Sequence, residues 1–252
     1  MKIQASQFKE FLERASLRSK IEDMDKALLS FTPAGLEFLS AAEISRAVIA
    51  QALLPKEFFA EYETATPCFL RKTNLLTEML NLVPPTEMVD IQLGQQVIAL
   101  QSGDMTAYIV PGEQHEQYKT IDTIVEAARD QFLGSWLISK KLLERVVKAA
   151  LVLGSFEVRI AGEEDRLKFI TASKYANQEK VEFAQPVESA PKFTKLISIK
   201  LLRPVVDCLV NVKTELQLYE NFAVFVSVDE NAAADITYKY ALATIVAPTE
   251  LD

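Results

Sequence analysis

Two cysteines, one histidine and seven glycines limit the chemistry that this 252-residue chain can perform. Cys68 and Cys208 are too few for a disulfide framework, so we expect a reduced pair inside a cell. With His115 as the single histidine, no zinc site, Cys/His dyad or Ser/His/Asp triad is expected. The glycine-rich phosphate loops GxGxxG and GxxxxGK[ST] are absent as well. We therefore expect no metal ion and no other cofactor.

Long apolar runs are also missing from the sequence. No stretch approaches the roughly 18 to 20 apolar residues that span a bilayer. The first residues, MKIQASQFKEF, lack the apolar core of a signal peptide. We therefore expect neither export nor membrane insertion. The composition, with 49% hydrophobic and 25% charged residues, is that of an ordinary soluble globular protein.

Two halves of the chain resemble each other at a constant offset. Glu13-Arg14 and Glu144-Arg145 lie 131 residues apart (144 − 13), and Leu36 and Phe38 recur at that offset as Leu167 and Phe169. One offset held across a helix and a strand indicates an internal repeat, although a coincidence between amphipathic segments is the alternative. We predict two similar domains, 1–112 and 132–252, joined by a polar connector over 113–131.

Each half shows the order helix, strands, helix, strands. Apolar spacing predicts helices over 5–20, 70–83, 139–151 and about 203–212. Hairpin turns are expected at Pro33-Ala34-Gly35 and at the acidic triplet Glu163-Glu164-Asp165. Many short alternating strands and few helices predict an α+β fold, in which each domain packs two helices on antiparallel sheets.

Positive charge is concentrated in the four predicted helical segments. Lys and Arg exceed Asp and Glu by 2 in 5–20, by 1 in 69–83, by 3 in 138–151 and by 2 in 195–211. These segments carry +8 together, while the whole chain carries −8, so the remainder carries −16. For a single helix, a solvated face is the ordinary interpretation. Four basic helices in an acidic protein favour a surface for a polyanion, bound through phosphates without sequence recognition.

Several stretches resemble the sliding clamps of the proliferating cell nuclear antigen type, especially the archaeal ones. LSFTPAGLEFLSAAEISRAVI is similar to the family's strand–turn–strand and following loop, LLERVVKAALVLGSFEVRI to the start of its second domain, and IVAPTELD to its C-terminal tail. The resemblance covers essentially the whole chain in the order of elements. It implies the DNA-clamp fold, a trimeric ring around duplex DNA and no catalytic activity.

The resemblance also implies which residues face DNA. Arg145, Lys148 and Lys9 match the family's DNA-facing positions. The whole predicted DNA-binding set is Lys9, Arg14, Lys72, Lys140, Lys141, Arg145, Lys148, Lys200 and Arg203. Lys140 and Lys141 diverge by about 100° on a helix, so of these two we prefer Lys141. The second and fourth helices have a weaker positive charge than the family pattern, because Glu78 and Asp207 lie on them.

Client proteins of this family insert a short hydrophobic and aromatic peptide beside the connector and the C-terminal tail. By position, the groove residues in this chain would be Ala42, Arg46, Ile49, Val125, Ala127, Ala223, Ile245, Ala247 and Pro248. Ile124 and Val125 could instead simply fix the connector to the sheet beneath. The expected partners are DNA polymerase, flap endonuclease, DNA ligase and the clamp loader.

Assembly is expected through strand edges, with 106–111 of one subunit pairing with 180–186 of the next. The alternative is that each edge is covered by its own loops. The sequence leaves open a homotrimer, one subunit of a heterotrimer and a checkpoint-type clamp. It also leaves open, as a different class, an enzyme that uses paired carboxylates such as Glu163, Glu164 and Asp165. The expected location is the cytoplasm, at the nucleoid, for an archaeal protein and the nucleus for a eukaryotic one.

Overall fold

The computed structural model describes residues 1–21, 24–42, 47–93, 97–112, 119–173, 179–210, 213–230 and 234–246. Within this part, the chain forms two compact units. The first comprises Met1–Ile121 and Val228–Lys239, and the second comprises Asp122–Ser227 and Tyr240–Asp252. The expected domain limits of 1–112, 113–131 and 132–252 stay a prediction.

The described part of the first unit contains two α-helices among antiparallel strands. In chain order its elements are β1 (Lys2–Gln4), α1 (Ala5–Ala15), β2 (Ala27–Thr32), β3 (Gly35–Ala41), β4 (Val48–Pro55), β5 (Phe59–Glu61), β6 (Ala65–Leu70), α2 (Thr73–Leu80), β7 (Met88–Leu93), β8 (Ile98–Ser102) and β9 (Met105–Ile109). One sheet has the order β5-β1-β7-β8-β9, and a second series of neighbours is β4-β3-β2-β6.

The second unit follows the same alternation of helices and antiparallel strands. The remaining elements are α3 (Ile121–Ala127), β10 (Phe132–Ser139), α4 (Lys140–Val152), β11 (Glu157–Ala172), β12 (Lys180–Ser198), α5 (Ile199–Cys208), β13 (Lys213–Tyr219), β14 (Phe222–Asp229), β15 (Ile236–Ala243) and β16 (Ile245–Val246). Of these, Ile121, the end of β14 from Val228 and the start of β15 up to Lys239 belong to the first unit. Strand neighbours are β10-β13-β14 and β11-β12-β16. The predicted class, α+β with helices on antiparallel sheets, is confirmed.

The helix α1 forms because its apolar residues recur at helical spacing. Phe8, Phe11, Leu12 and Ala15 are buried on one side, and the helix contacts α2, β3 and β4. The ring of Phe11 meets that of Phe38 edge-on, with 6.5 Å between the centroids. Such burial contributes about 1.5 to 3 kcal/mol for each large apolar side chain. The helix α1 therefore anchors the core of the first unit.

The tight turn at Pro33-Ala34-Gly35 is confirmed. Thr32 and Gly35 are register partners across the β2–β3 hairpin, and Gly35 has a φ of +148°. A Cβ atom at Gly35 would lie 2.2 Å from the carbonyl oxygen of Leu54. Glycine is therefore required here both by the backbone angle and by the approach of β4.

The hairpin expected at the acidic triplet is wrong. Glu163, Glu164 and Asp165 lie inside the continuous strand β11, which pairs with β12 along its length. The ladder changes register on both sides of Glu164, whose φ of +47° is left-handed. The turn signal in the sequence thus marks a bulge in a long strand, because the chain reverses only after Ala172.

The fourth helix begins earlier than expected. It spans Ile199–Cys208 instead of about 203–212, and Ser198 precedes it in extended conformation. Pro204 therefore lies in the sixth helical position and not in the first turn. There it removes one helical hydrogen bond, but it is buried together with Leu202, Val205 and Val206. Tertiary packing of this apolar face outweighs the unfavourable proline.

The other expected helices are shorter than the sequence pattern, except in the second unit. The helix α1 ends at Ala15, and the following turn Leu17–Ser19 holds Leu17 and Arg18 at φ near +52° and +53°. The helix α2 covers Thr73–Leu80 within the expected 70–83. The helix α4, at Lys140–Val152, matches the expected 139–151 within one residue. The strand β4 begins at Val48, and Ile44 and Arg46 lie outside the described residues.

Candidate nucleic-acid and partner interfaces

The helix α4 presents an exposed row of three cations. Lys141, Arg145 and Lys148 recur at i, i+4 and i+7 and are all exposed, while Leu143, Val146, Val147 and Ala150 are buried on another side of the helix. Helical periodicity separates the two faces. The single acid within the helix, Glu144, leaves it with a net charge of +3. This row is the strongest cationic surface on any helix in the described part of the chain.

Arg145 is held by an aromatic side chain. Its guanidinium carbon lies 4.9 Å from the centroid of the Phe183 ring in β12. A cation at this distance from an aromatic face is attracted by the quadrupole of the ring. Arg145 is nevertheless an exposed residue, so its remaining N–H groups can face solvent or a phosphate.

Lys140 is used inside the protein. Its ammonium donates a 2.5 Å hydrogen bond to the carbonyl of Leu209, the C-cap residue that directly follows α5. A cation at the C-terminal end of a helix satisfies a carbonyl that has no helical partner. This geometry agrees with the preference for Lys141 over Lys140, although a DNA-facing role of either residue stays a prediction.

The fourth predicted basic segment is less basic than the sequence suggested. Lys200 and Arg203 are exposed on α5, but Asp207 lies four residues beyond Arg203 and is exposed as well. Lys195, which contributed to the charge of 195–211, lies in β12 and is 4% exposed. Its ammonium donates to the carbonyl of Glu220 at 2.7 Å and to its carboxylate at 2.6 Å. Lys195 is therefore a structural cation.

Predicted cations in the first unit lie beside carboxylates. Lys9 is 3.6 Å from Glu13, and Arg14 donates to Glu10 at 2.7 Å. The helix α1 thus carries no net charge, and α2 contains the single charged residue Glu78. Lys72 is exposed but precedes α2 at its N-cap. Four basic helices were expected. Within its observed ends, α4 is clearly basic and α5 is only weakly basic, whereas α1 and α2 carry no net positive charge, so the expectation is wrong for those two.

A pocket between α1 and α2 contains a cation that the sequence did not single out. The pocket has a volume of about 330 Å³ and is lined in part by Lys9, Glu10, Glu13, Arg18 and Asn81. Arg18 is exposed there because Leu17, fully buried, and Arg18 both adopt left-handed backbone angles. The helical pattern of residues 5–20 gives no signal of this reversal, since only Gly and Asn favour it intrinsically.

The predicted groove residues of the first unit are mostly covered. Ala42 is 1% exposed and Ile49 is half-buried at the neighbouring strand. Arg46 lies outside the described residues. Ala42 thus offers no side-chain surface to a ligand.

The predicted groove residues of the second unit differ in exposure. Ile245 is 60% exposed, Ala127 is exposed and Val125 is half-buried on α3. Ala223 is fully buried in β14, so its side chain offers no surface. Ala247 and Pro248 lie outside the described residues. Among the described residues of this set, Ile245, Val125 and Ala127 present side-chain surface.

An aromatic cluster that the sequence interpretation missed lies beside the end of β15. The Tyr219 ring stacks on Phe222 at 4.4 Å and meets Phe132 at 5.3 Å, and Phe132 is 47% exposed. The turn at Glu220 and Asn221 connects these parts. Asn221 accepts from the N–H of Thr244 and its amide donates to Gln131, so the start of β10 and the chain before Ile245 meet at this turn.

Both strand segments that are predicted to pair between copies have an open edge within the described part of the chain. The strand β9 is the last strand of its sheet, and Tyr108 and Val110 near it are 65% and 72% exposed. The strand β12 pairs with β11 along its length, but with β16 only at Lys195 and Leu196. Its segment 180–186 therefore has one ladder partner, β11. Unpaired backbone groups at such edges favour pairing with another chain.

The acidic triplet is a solvated surface. Glu163 and Asp165 have side chains that are 53% and 76% exposed, and the triplet lines a shallow pocket with Ala190 and Lys192. Glu163 bonds Lys168, which raises the pKa of that lysine together with Glu182. Among the described residues, no three of His, Cys, Asp and Glu come together in a way that could hold a metal ion. Nor is any described helix both long and apolar enough to cross a membrane.

Comparison of the sequence with protein-family models and with curated proteins gives no match. Comparison of folds gives a clear result. The proliferating cellular nuclear antigen of Entamoeba histolytica superimposes with a TM-score of 0.73, covering 97% of each chain at 14% identity. That of Thermococcus kodakaraensis gives 0.73 over 97% of this chain and 99% of its own, at 15% identity. The A. fulgidus protein, bound to the C-terminal region of FEN-1, gives 0.71 over 98% of both chains at 10% identity.

The chain therefore has the fold of the DNA sliding clamps over essentially its whole length. Within that class, the fold is that of proliferating cell nuclear antigen (PCNA), as the sequence motifs predicted. Because the sequence identities are 10 to 15%, this conclusion concerns the fold alone.

Proposed function

We propose that the protein is a subunit of a DNA sliding clamp, which encircles duplex DNA and tethers replication and repair enzymes to it. The observation that carries the proposal is the exposed row Lys141, Arg145 and Lys148 on a chain with the PCNA fold. Three exchangeable cations per subunit suit a surface that contacts phosphates without reading bases. Lys200 and Arg203 on α5 extend this surface, and Lys9, Arg14 and Lys72 belong to the proposal by position.

Assembly would proceed head to tail through the two open strand edges. The segment 106–111 of one copy would pair with 180–186 of the next, which satisfies backbone groups that are otherwise unpaired. A PCNA2–PCNA3 complex with the same fold is known from Sulfolobus tokodaii, at a TM-score of 0.69 and 12% identity. Such a complex supports, as the alternative, that this chain joins with related but different subunits.

Client binding is proposed for the second unit. The PCNA of A. fulgidus has been solved with the C-terminal region of FEN-1, which supports a flap endonuclease as one client of this chain. Polymerase, ligase and a clamp loader would bind through similar short hydrophobic and aromatic peptides. The exposed side chains of Phe132 and Ile245 offer apolar contact area of the kind that anchors such peptides.

The proposal is tested by whether DNA is held by topology. A linear duplex is fixed to a surface at one end, and its free end is blocked with streptavidin either after or before the protein is added. A ring threads only over an open end, and it slides off the same end unless a later block traps it. We therefore expect protein to be retained through washing when the block is added after the protein and not when it is added before. Cutting the duplex near its attachment should release the retained protein. Equal retention in both orders would show ordinary surface binding and would contradict the proposal.

The carboxylate-dependent enzyme is a weaker second candidate. Its residues Glu163, Glu164 and Asp165 are solvated on β11, and Lys168 pairs with Glu163. Nothing in this arrangement supplies a buried acid next to a free base, which carboxylate catalysis generally uses. The clamp remains the function that the geometry supports best.

A further inference from the structure

The contact between Arg145 and Phe183 joins two surfaces that the proposed clamp uses separately. Arg145 lies in the cationic row of α4. Phe183 lies at the centre of the segment 180–186, the proposed assembly edge of β12. The guanidinium carbon and the centroid of the ring are 4.9 Å apart.

Within the edge segment, the Phe183 ring is covered partly by the protein core and partly by Arg145. Phe183 lies directly opposite Phe169 in the β11–β12 ladder, so both side chains are on the face on which α4 packs. Phe169 is fully buried, whereas Phe183 is only half-buried. The guanidinium of Arg145 therefore covers the part of the Phe183 ring that the helix leaves open.

The opposite face of the same segment is also held by a long cationic side chain. Neighbouring strand residues point to opposite faces, so Glu182 lies on the face away from Phe183. The ammonium of Lys168 is 3.4 Å from the Glu182 carboxylate and also bonds Glu163. The edge segment is thus fixed from both sides, through Arg145 at Phe183 and through Lys168 at Glu182.

We propose that Arg145 is a positioning residue for assembly: by binding the Phe183 ring it holds the 180–186 edge in the geometry that accepts a strand of the next copy. This inference rests on the proposed function and assigns to Arg145 a role beyond phosphate contact. Because the role passes through the aromatic ring, it depends on Phe183 as much as on the positive charge.

A mutant cycle measured by sedimentation equilibrium tests the inference. Arg145→Gln and Phe183→Leu should each weaken self-association of the chain by roughly two- to fivefold, the range expected for loss of one partly exposed cation–π contact. The double variant should be no weaker than the weaker single variant, since both changes remove the same contact. Phe183→Tyr keeps the aromatic face and should associate like the parent.

Arg129→Gln is the matched control. It removes an exposed guanidinium of the same unit, whose partner is the carboxylate of Glu126 and not an aromatic ring. It should associate like the parent. Fluorescence of Trp136, the single tryptophan, verifies that every variant keeps its fold.

Three results would overturn the inference. Arg145→Gln could associate like Arg129→Gln, or Phe183→Leu could have no effect, or the two effects could multiply in the double variant. In the last case Arg145 would contact the next copy directly. If the parent protein itself stays monomeric at all concentrations, the proposed self-association and this inference fail, whereas a normal parent with unaffected variants rejects the inference alone.

Discussion

Lys195 places its ammonium between the carbonyl oxygen of Glu220, at 2.7 Å, and the carboxylate of the same residue, at 2.6 Å. This double contact ties β12 to the turn between β13 and β14, and that turn also donates from the Glu220 N–H to Gln131. The Lys195 side chain is 6% exposed and the Glu220 carboxylate is 51% exposed. The ion pair is therefore buried at its cation and open to water at its anion.

We expect Lys195→Met to destabilise the protein by about 1.5 to 3 kcal/mol, the range for losing hydrogen bonds that involve a charged group. The exposed carboxylate stays hydrated, which keeps the loss below that of a fully buried pair. Denaturant unfolding followed by Trp136 fluorescence measures the free energy of unfolding. Lys192→Met, an exposed position of the same strand, is the control and should change it by less than about 0.5 kcal/mol. Equal effects would contradict a special role for Lys195.

Reversal of two cations on α4 should weaken DNA retention. In Lys141→Glu/Lys148→Glu, Arg145 is left in place, so that its contact with Phe183 is not disturbed. We expect less protein to be trapped on the duplex that is blocked after loading, and a shallower dependence of loading on salt concentration, because fewer phosphate contacts release fewer counterions. Self-association should be unchanged.

The control for this experiment reverses two exposed cations elsewhere in the second unit, Arg129→Glu/Lys192→Glu. It changes the net charge of the chain by the same amount. If both double variants lower retention equally, the effect comes from overall charge, and α4 has no particular role.

Replacement of Ile245 by Asp should weaken binding of a client peptide. Ile245 is 60% exposed, so the change adds a charge to an apolar surface and places none in the core. We expect at least a tenfold weaker affinity for a flap-endonuclease C-terminal peptide, measured by fluorescence anisotropy. Leu137→Asp introduces the same charge at another exposed apolar position of the unit, 61% exposed, and should bind normally. Undiminished affinity of Ile245→Asp would place the peptide elsewhere.

The thiol of Cys68 should be unreactive in the folded protein. Burial raises its pKa to about 12 from an ordinary value of 9.0. A raised pKa favours the neutral thiol in the folded state, so its contribution to stability is full below pH 9 and is lost between about 9 and 12. In Cys208→Ser, which leaves Cys68 as the single cysteine, we expect little labelling by a thiol reagent at pH 8 until denaturant is added. Fast labelling of the native protein would contradict this.

The sequence predicts the fold well where local patterns and packing agree. Helical spacing gives α4 within one residue, and proline with glycine gives the β2–β3 turn, since both signals are local. It fails where a distant partner decides the outcome. The triplet Glu163-Glu164-Asp165 has the composition of a turn, but pairing with β12 keeps it in a strand. Pro204 is typical of the first turn of a helix, but burial of the apolar face of α5 places it in the helix interior.

The candidate sites show the same division. Periodicity alone predicts that Lys141, Arg145 and Lys148 share one exposed face, and the structure confirms that arrangement. No sequence pattern indicates that Lys140 bonds Leu209, that Lys195 is buried at Glu220, or that Arg145 covers Phe183. In each case the partner is at least 25 residues away in the chain, so its position depends on the tertiary fold.

The long β11–β12 hairpin has a consequence for the order in which the second unit folds. Its strands follow one another in the chain, from Glu157 to Ser198, so pairing can begin soon after the chain reverses. The pairing of β10 with β13 joins Phe132 to Tyr219 and must close a far longer loop. Loop closure costs entropy before distant contacts form. We therefore expect the hairpin to be structured in the transition state, with β10 docking on β13 late, after α5 has been placed.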